Sequence, residues 1–278
     1  MADKKVDLHL HTKYSDGHFT PQELIAKAKS VGISTLSITD HDSVDSYEEA
    51  SIIAQNEDMH LISGTEFTSY IDDREIHILG YFFDTKHPEL TKILNFFKNE
   101  RTHRAERILW KLKNHGISIK LDEVLQEAES SPVTRPHIAS IMMEKGVVNS
   151  YMEAFNLYLG NHAPCYEKKI HVDPATVFET VSAAGGLSFI AHPSNMQEDI
   201  IRKLIDSGVD GIEVIHPSHS PSQEKYFREI ADAYFLLQSG GSDFHGGKKN
   251  DENNLGQFFI HEPYVANMRK RLVKARPA

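Results

Sequence analysis

Val6-Asp7-Leu8-His9-Leu10-His11 reads as a strand, and two residues later the turn Tyr14-Ser15-Asp16-Gly17 supplies a carboxylate. Residues two apart on a strand point to the same face, so both imidazoles of this stretch can reach one metal ion. Working outward, similar fragments recur. Leu36-Ser37-Ile38-Thr39 runs into Asp40-His41-Asp42, and Gly64-Thr65-Glu66, Ile76-His77-Ile78, Ala191-His192-Pro193 and Gly241-Ser242-Asp243-Phe244-His245 follow. His9, His11, Asp16, His41, Glu66, His77, His192, Asp243 and His245 therefore sit at or near the ends of predicted strands. Imidazole and carboxylate donors without cysteine suit Zn²⁺, Mn²⁺ or Fe²⁺ in hydrolytic sites. One such fragment alone is an unremarkable polar residue. The ordered series points to a polynuclear metal hydrolase.

The strands expected at residues 6–11, 35–39, 61–66, 76–82, 187–191, 211–215 and 236–240 are mostly separated by helical stretches. Helices are expected at 20–30, 43–56, 173–185 and 222–234. Thr20-Pro21-Gln22-Glu23 opens the first of them with a cap, a first-turn proline and a capping-box glutamate. Strand–helix alternation implies an α/β fold with a parallel sheet. Seven strands at this spacing predict a closed or nearly closed barrel, one strand short of the usual eight. Such barrels gather their active sites at the C-terminal ends of the strands. Residues 88–169 break the alternation, with helices expected at 89–114, 121–129, 136–144 and 150–159. They read as a helical insertion that caps the barrel mouth, leaving residues 1–87 and 170–278 for the barrel. The segment 246–254 reads as a polar, glycine-led loop.

Composition limits the function classes. The chain has 278 residues, a length usual for one α/β barrel, and a formal net charge of −10. An acidic chain is a poor binder of long duplex nucleic acid, which is held by many Lys and Arg contacts. No apolar run is long enough to span a bilayer, so no membrane association is expected. Met1-Ala2-Asp3-Lys4-Lys5 leads straight into the first strand without an apolar signal segment. Cys165 is the only cysteine, which rules out an intrachain disulfide and fits a cytoplasmic location. No obligate protein partner is evident.

The fragments Asp7-Leu8-His9-Leu10-His11-Thr12, Ile38-Thr39-Asp40-His41-Asp42, Gly64-Thr65-Glu66, His77-Ile78-Leu79-Gly80-Tyr81, Ala191-His192-Pro193 and Gly241-Ser242-Asp243-Phe244-His245 together resemble a PHP-domain (polymerase and histidinol phosphatase) phosphoesterase. Thr134-Arg135-Pro136-His137-Ile138-Ala139 is similar to the branch of that family acting on nucleotides, which includes nucleoside 3′,5′-bisphosphate phosphatases and 5′-to-3′ exoribonucleases on short RNA. The resemblance implies a distorted (β/α)7 barrel with a helical cap insertion and two to three divalent ions, Mn, Fe or Zn. It implies that His9, His11, Glu66 and Asp243 hold the first ion. Glu66 would bridge to a second, held also by His77 and His192, and Asp16, His41 and His245 would hold the third. A hydroxide bridging the metals would then attack phosphorus in line.

Arg135 is the expected substrate-phosphate anchor, because a guanidinium is permanently charged and binds phosphate in a bidentate manner. His137 shares its motif and is read as a second substrate contact. His216, after the sixth strand, is expected to contact phosphate or protonate the leaving oxygen. Asp40 is expected to orient a ligand histidine. Lys98, Arg101, Arg104, Arg107 and Lys111 recur on one helix face, read as a solvated stripe paired with Glu100 and Glu106. The expected activity is hydrolysis of phosphate monoesters of small nucleotides, nucleoside 3′,5′-bisphosphates above all. The alternatives are a histidinol-phosphate phosphatase, a 5′-to-3′ exonuclease on short RNA 5′ ends, and a noncatalytic metal-binding docking domain.

Overall fold

In the computed structural model, residues 4–129, 131–247 and 249–275 are described, so Lys248 of the polar loop lies outside the described residues. The strands are β1 (Lys5–Leu10), β2 (Ile33–Ile38), β3 (His60–Ile71), β4 (Arg74–Tyr81), β5 (Leu187–Ile190), β6 (Gly211–Ile215), β7 (Leu237–Gly240) and β8 (Ile260–His261). They form one sheet in the order β7-β6-β5-β4-β3-β2-β1-β8. Past β7 the chain returns to β1. His11 N donates to Phe244 O at 3.0 Å, and Leu10 bridges Phe244 in parallel. This seam nearly closes the sheet into a barrel. Gly241 makes the seam possible, because a Cβ there would lie 2.5 Å from His9 N and 2.6 Å from Asp7 Oδ1.

Most of the sheet is parallel, as expected, but β4 runs antiparallel to both β3 and β5. Only Asp72 and Asp73 separate β3 from β4, with φ of 49° and 61°. Two left-handed residues make a tight hairpin, and so short a link leaves no room for the crossover that parallel strands need. The hairpin also lengthens β3 to Ile71, so Glu66 lies inside its strand rather than at the end. The eighth strand has two residues and pairs antiparallel with β1. It is too short to leave a periodic signal in the sequence.

The helices expected between strands appear at Pro21–Ser30, Tyr47–Asn56, Pro174–Ala183 and Pro221–Ala233. Glu198–Asp206 and Glu262–Ala275 are helices that the sequence reading did not anticipate. The first begins as a reciprocal cap: Thr20 Oγ1 accepts from Glu23 N at 3.2 Å, and Glu23 Oε2 accepts from Thr20 N at 2.9 Å. Val6 and Leu8 pack with Leu79, Phe189 and Met268, while Leu10 packs with Leu24 and Leu36. Alternation along β1 turns Asp7, His9 and His11 to the opposite side.

The chain divides into two compact units, Met1–Ile93 with Val172–Ala278, and Leu94–His171. The first boundary falls inside the helix Pro88–Asn114. The second unit adds helices Leu121–Ala128, Arg135–Glu144 and Tyr151–Ala154, the last continuing into a π-helical turn Phe155–Leu159. It has its own core, including Ile108, Leu112, Val124, Ile138 and Met142, and Cys165 is buried in that core. Among the described residues, no helix is long and apolar enough to cross a membrane.

Candidate metal centre

Glu66 is buried at the centre of the barrel cluster. Its Oε1 lies 2.8 Å from His77 Nδ1 and 2.8 Å from His192 Nε2. Its Oε2 lies 3.2 Å from His9 Nε2, 3.3 Å from His11 Nε2 and 3.3 Å from His41 Nδ1. Asp243 Oδ1 stands 3.3 Å from His9 Nε2 and 3.1 Å from His11 Nε2. Asp16 Oδ1 is 3.2 Å from His245 Nε2, and its Oδ2 is 3.8 Å from His41 Nε2. All nine side chains singled out in the sequence thus meet in one place, although they come from six segments of the chain.

Among the described residues, four sets of donor atoms lie within 4.8 Å of one another: His9, His11, Glu66 and Asp243; His41, Glu66 and His77; His11, Asp16, His41 and His245; and His9, Glu213 and His216. These sets suit divalent ions. Both ring nitrogens of His11 and Nδ1 of His41 are buried without a hydrogen-bond partner among the described residues. Buried imidazole nitrogens left without a bond are costly, and a metal ion would satisfy them. His41 and His11 each appear in two sets, so the partition among ions is less strict than the resemblance implies. Two of the donors sit on left-handed backbone, His192 at φ 27° and Asp243 at φ 48°. That conformation costs about 1–3 kcal/mol per non-glycine residue and persists where the surroundings enforce it. Here the enforcing contact at His192 is its own N–H, which donates to Glu213 Oε2 at 2.7 Å.

Mutual attraction between imidazoles and carboxylates shifts their protonation. Burial pulls His11 down, but the carboxylates of Asp243, Glu66 and Asp16 outweigh it and raise the group to about 9. Burial likewise opposes the charge on His77, but Glu66 and Glu75 raise it to about 10. Burial would push Glu66 up, yet the surrounding imidazoles hold it well below the usual carboxylate range. Burial also presses on Asp243, which is likewise held low, chiefly by His9 and His11. Protons on these imidazoles and divalent ions are therefore alternative ways of neutralising the same carboxylates.

Glu213 was not among the residues picked from the sequence. It is buried, and its Oε1 is 2.9 Å from His9 Nδ1. Burial raises it, but His9 and His216 pull it down overall, so it is a carboxylate acceptor. The Nδ1 proton of His9 then points at Glu213, and the Nε2 lone pair is left facing Glu66 and Asp243. Asp7 acts on the same strand through the backbone, accepting from His9 N at 3.2 Å and Ser242 N at 3.0 Å across the seam. A sequence signal existed for both: each is a carboxylate inside an apolar strand, where an isolated charge is not tolerated. Lys249 was also missed. Its Nζ lies 2.7 Å from His245 Nε2 and 2.9 Å from Asp16 Oδ2.

Asp40, expected to orient a ligand histidine, instead fastens a loop. Its carboxylate accepts from Thr12 N at 2.8 Å, Thr12 Oγ1 at 2.7 Å, Ser15 Oγ at 2.7 Å and Ser46 Oγ at 2.7 Å. These contacts fix the turn that carries Asp16. His216 lies at the base of the cluster, buried, with Nε2 3.3 Å from Asp243 Oδ2. Its Nδ1 lies 2.8 Å from Ser218 Oγ and 3.1 Å from Ser218 N.

Arg135 and His137 belong to the second unit. Arg135 Nη1 donates to Leu159 O at 2.8 Å and Asn161 Oδ1 at 3.1 Å, and the guanidinium lies over the rings of Phe155 and Tyr166. It thereby helps satisfy a carbonyl at the end of the π-helical turn. His137 Nδ1 accepts from Thr134 N at 3.1 Å, so the expected substrate contact caps its own helix. Part of the basic stripe serves main-chain carbonyls. Arg104 donates to Glu167 O at 2.8 and 2.9 Å, and Lys111 donates to Tyr166 O at 2.6 Å and pairs with Glu167 at 2.8 Å. Glu167 is an acidic partner of the stripe, and Glu100, expected as one, lies 3.9 Å from Arg107.

A barrel that gathers nine imidazole and carboxylate side chains around one buried glutamate has the build of a metal-dependent hydrolase. Comparison with known proteins gives the family. The PHP domain model matches residues 7–144. A 5′-3′ exoribonuclease of Haemophilus influenzae is 37% identical over 248 residues, covering 87% of this chain and 90% of that protein. A 3′,5′-nucleoside bisphosphate phosphatase of Chromobacterium violaceum is 30% identical, covering 86% of this chain and 87% of that protein. A solved structure from Bifidobacterium adolescentis, described as a candidate metal-dependent phosphoesterase, superposes with a TM-score of 0.82 at 28% identity, covering 98% and 97% of the two chains. The chain belongs to the PHP domain family and is a metal-dependent phosphoesterase.

Proposed function

We propose that this phosphoesterase hydrolyses phosphate monoesters of small nucleotides, with nucleoside 3′,5′-bisphosphates as its preferred class. The observation that carries the reading is Glu66, whose two oxygens address separate groups of imidazoles 2.8–3.3 Å away. A carboxylate so placed suits two ions at once. His9, His11 and Asp243 would complete one position, His77 and His192 a second, and Asp16, His41 and His245 a third. Divalent ions bound there would supply Lewis acidity and lower the pKa of bound water. The chain's own part is orientation and proton handling. Glu213 fixes the His9 tautomer, Asp40 fixes the loop of Asp16, and His216 turns its Nε2 toward Asp243. His216 is the group we assign to protonating the leaving oxygen.

The nucleotide class rests on two supports. Relatives that align along most of the chain are named as a nucleoside bisphosphate phosphatase and as exoribonucleases. In the second unit, Arg135 opens the motif Thr134-Arg135-Pro136-His137-Ile138-Ala139, and we assign its guanidinium to a substrate phosphate. A second reading, 5′-to-3′ trimming of short RNA, is favoured by the name of the Haemophilus relative. Steady-state kinetics with metal analysis separates them. The expected result is a higher kcat/KM for a nucleoside 3′,5′-bisphosphate than for the matching 5′-monophosphate, for histidinol phosphate and for 5′-phosphorylated RNA, all abolished by chelation. Faster turnover of the RNA would install the second reading. Full activity in metal-free protein would remove both.

A further inference from the structure

A cavity of about 340 Å³ adjoins the cluster on the side of His77 and His192. Its apolar wall includes Ile76, Met196 and Ile200, and Arg74 and Asn195 line it from exposed positions. All of these residues belong to the barrel unit. Neither the Arg74 guanidinium nor the Asn195 amide makes a hydrogen bond or an ion pair among the described residues. On the other side of the cluster, Lys249 Nζ already stands between His245 and Asp16. The organic part of a phosphate ester seated on the cluster therefore has built space toward His77 and His192.

We infer that this cavity seats the aromatic base of the nucleotide, an assignment that rests on the nucleotide reading above. Its size lies at the low end for small-molecule sites, enough for one nucleoside and too small for a helix. The wall chemistry selects a flat, uncharged heterocycle. Arg74 offers a planar cation that stacks on a ring face. Met196 offers a polarisable thioether to a ring edge. Asn195 offers a donor and an acceptor together, which a base edge can use and an alkyl group cannot. Glu75 also lines the cavity, and its carboxylate disfavours a second phosphate at this position. Arg74, Met196 and Asn195 are thus specificity-determining residues. They set which ester is bound and in which direction its leaving oxygen points.

The test uses the metal-loaded full chain and two variants, the double substitution Arg74→Ala with Asn195→Ala, and Asn195→Trp, which fills the cavity. Calorimetric titration with adenosine, which has no phosphate to lose, reads the cavity alone. Titration with inorganic phosphate reads the cluster alone. Adenosine affinity should fall roughly tenfold in both variants, the scale of one lost stacking or hydrogen-bond contact. Phosphate affinity and metal content should stay at wild-type values. The ratio of kcat/KM for adenosine 5′-monophosphate over ribose 5-phosphate should fall by a similar factor. Adenosine binding unchanged in both variants would overturn the assignment, as would a wild-type enzyme that does not distinguish the two esters. Failure of the wild type to hydrolyse any phosphate ester would instead remove the nucleotide-phosphatase reading, and the adenosine titration would still decide the cavity.

Discussion

The barrel and the helical unit use charged side chains in opposite ways. In the barrel, His9, His11, His41 and Glu66 face one another, and several ring nitrogens have no local hydrogen bond to satisfy them. In the helical unit, Arg104, Lys111 and Arg135 each donate to a main-chain carbonyl. The first arrangement is incomplete without a cation, whereas the second already does structural work. A charge that the fold has consumed differs from one it has left available, and sequence spacing alone does not separate them.

The sharpest way to break this contrast is Glu66→Gln. It removes the carboxylate that addresses both imidazole groups, and kcat/KM should fall by about a thousandfold or more, with loss of bound metal by elemental analysis. Near-normal turnover and metal content would end the bridging role. Glu213→Gln comes next. It touches no proposed ion, yet it should weaken metal affinity by about 10- to 100-fold by releasing the His9 ring. A competitive chelator titration measures this, and an unchanged affinity would make Glu213 a bystander.

Arg135→Ala should behave differently, because that guanidinium holds the π-helical turn and is also the proposed substrate-phosphate contact. Loss of a charged hydrogen bond is worth about 1.5–3 kcal/mol, so a lower melting temperature and a roughly tenfold or greater fall in kcat/KM are expected. Metal content should not move. If the variant keeps wild-type kcat/KM and loses only stability, Arg135 is structural and does not contact substrate phosphate.

The smallest expected effect is on pH. In metal-free protein, His11 and His77 have folded pKa values of about 9 and 10, above their unfolded value. Raised values of this kind add stability that is fully present below about pH 6.5 and lost as pH rises through 9 to 10. The metal-free protein should therefore melt several degrees lower at pH 10 than at pH 6.5. Metal-loaded protein should trend the other way over the acidic side, because protons compete with the ions for the imidazoles. Parallel thermal melts of the two forms check this, and curves of the same slope would separate the histidines from the stability of the cluster.

Much of the barrel was legible because its strands are short, apolar and bounded by ligands. Leu8-His9-Leu10-His11 and Gly241-Ser242-Asp243-Phe244-His245 carry strand and site in the same few residues. The direction of β4 was not legible from alternation, although the missing helix between residues 66 and 76 was a sign of it. The helix Glu198–Asp206 was hidden behind the short connection that follows His192. Among site residues, the ligands could be found because imidazoles at strand ends are conspicuous. Glu213 and Asp7 were overlooked because their roles depend on partners more than 200 residues away in the chain, His9 for one and Ser242 for the other. Asp40 differs from expectation because its oxygens are taken by Thr12, Ser15 and Ser46, donors whose approach depends on the fold of the loop.

The β3–β4 hairpin has a further consequence. Thr68 pairs with His77 and Glu66 with Leu79, so the carboxylate and the imidazole share one face in that register. Strand faces alternate with each residue, and a slip of one position would turn His77 away from Glu66. Such a chain would keep its helices, most of its sheet and its circular dichroism, yet it would lack one wall of the cluster. The two-residue turn at Asp72-Asp73 therefore acts as a proofreading element for assembly. Metal occupancy of freshly folded protein would report its fidelity, as a fraction of molecules rather than as an affinity.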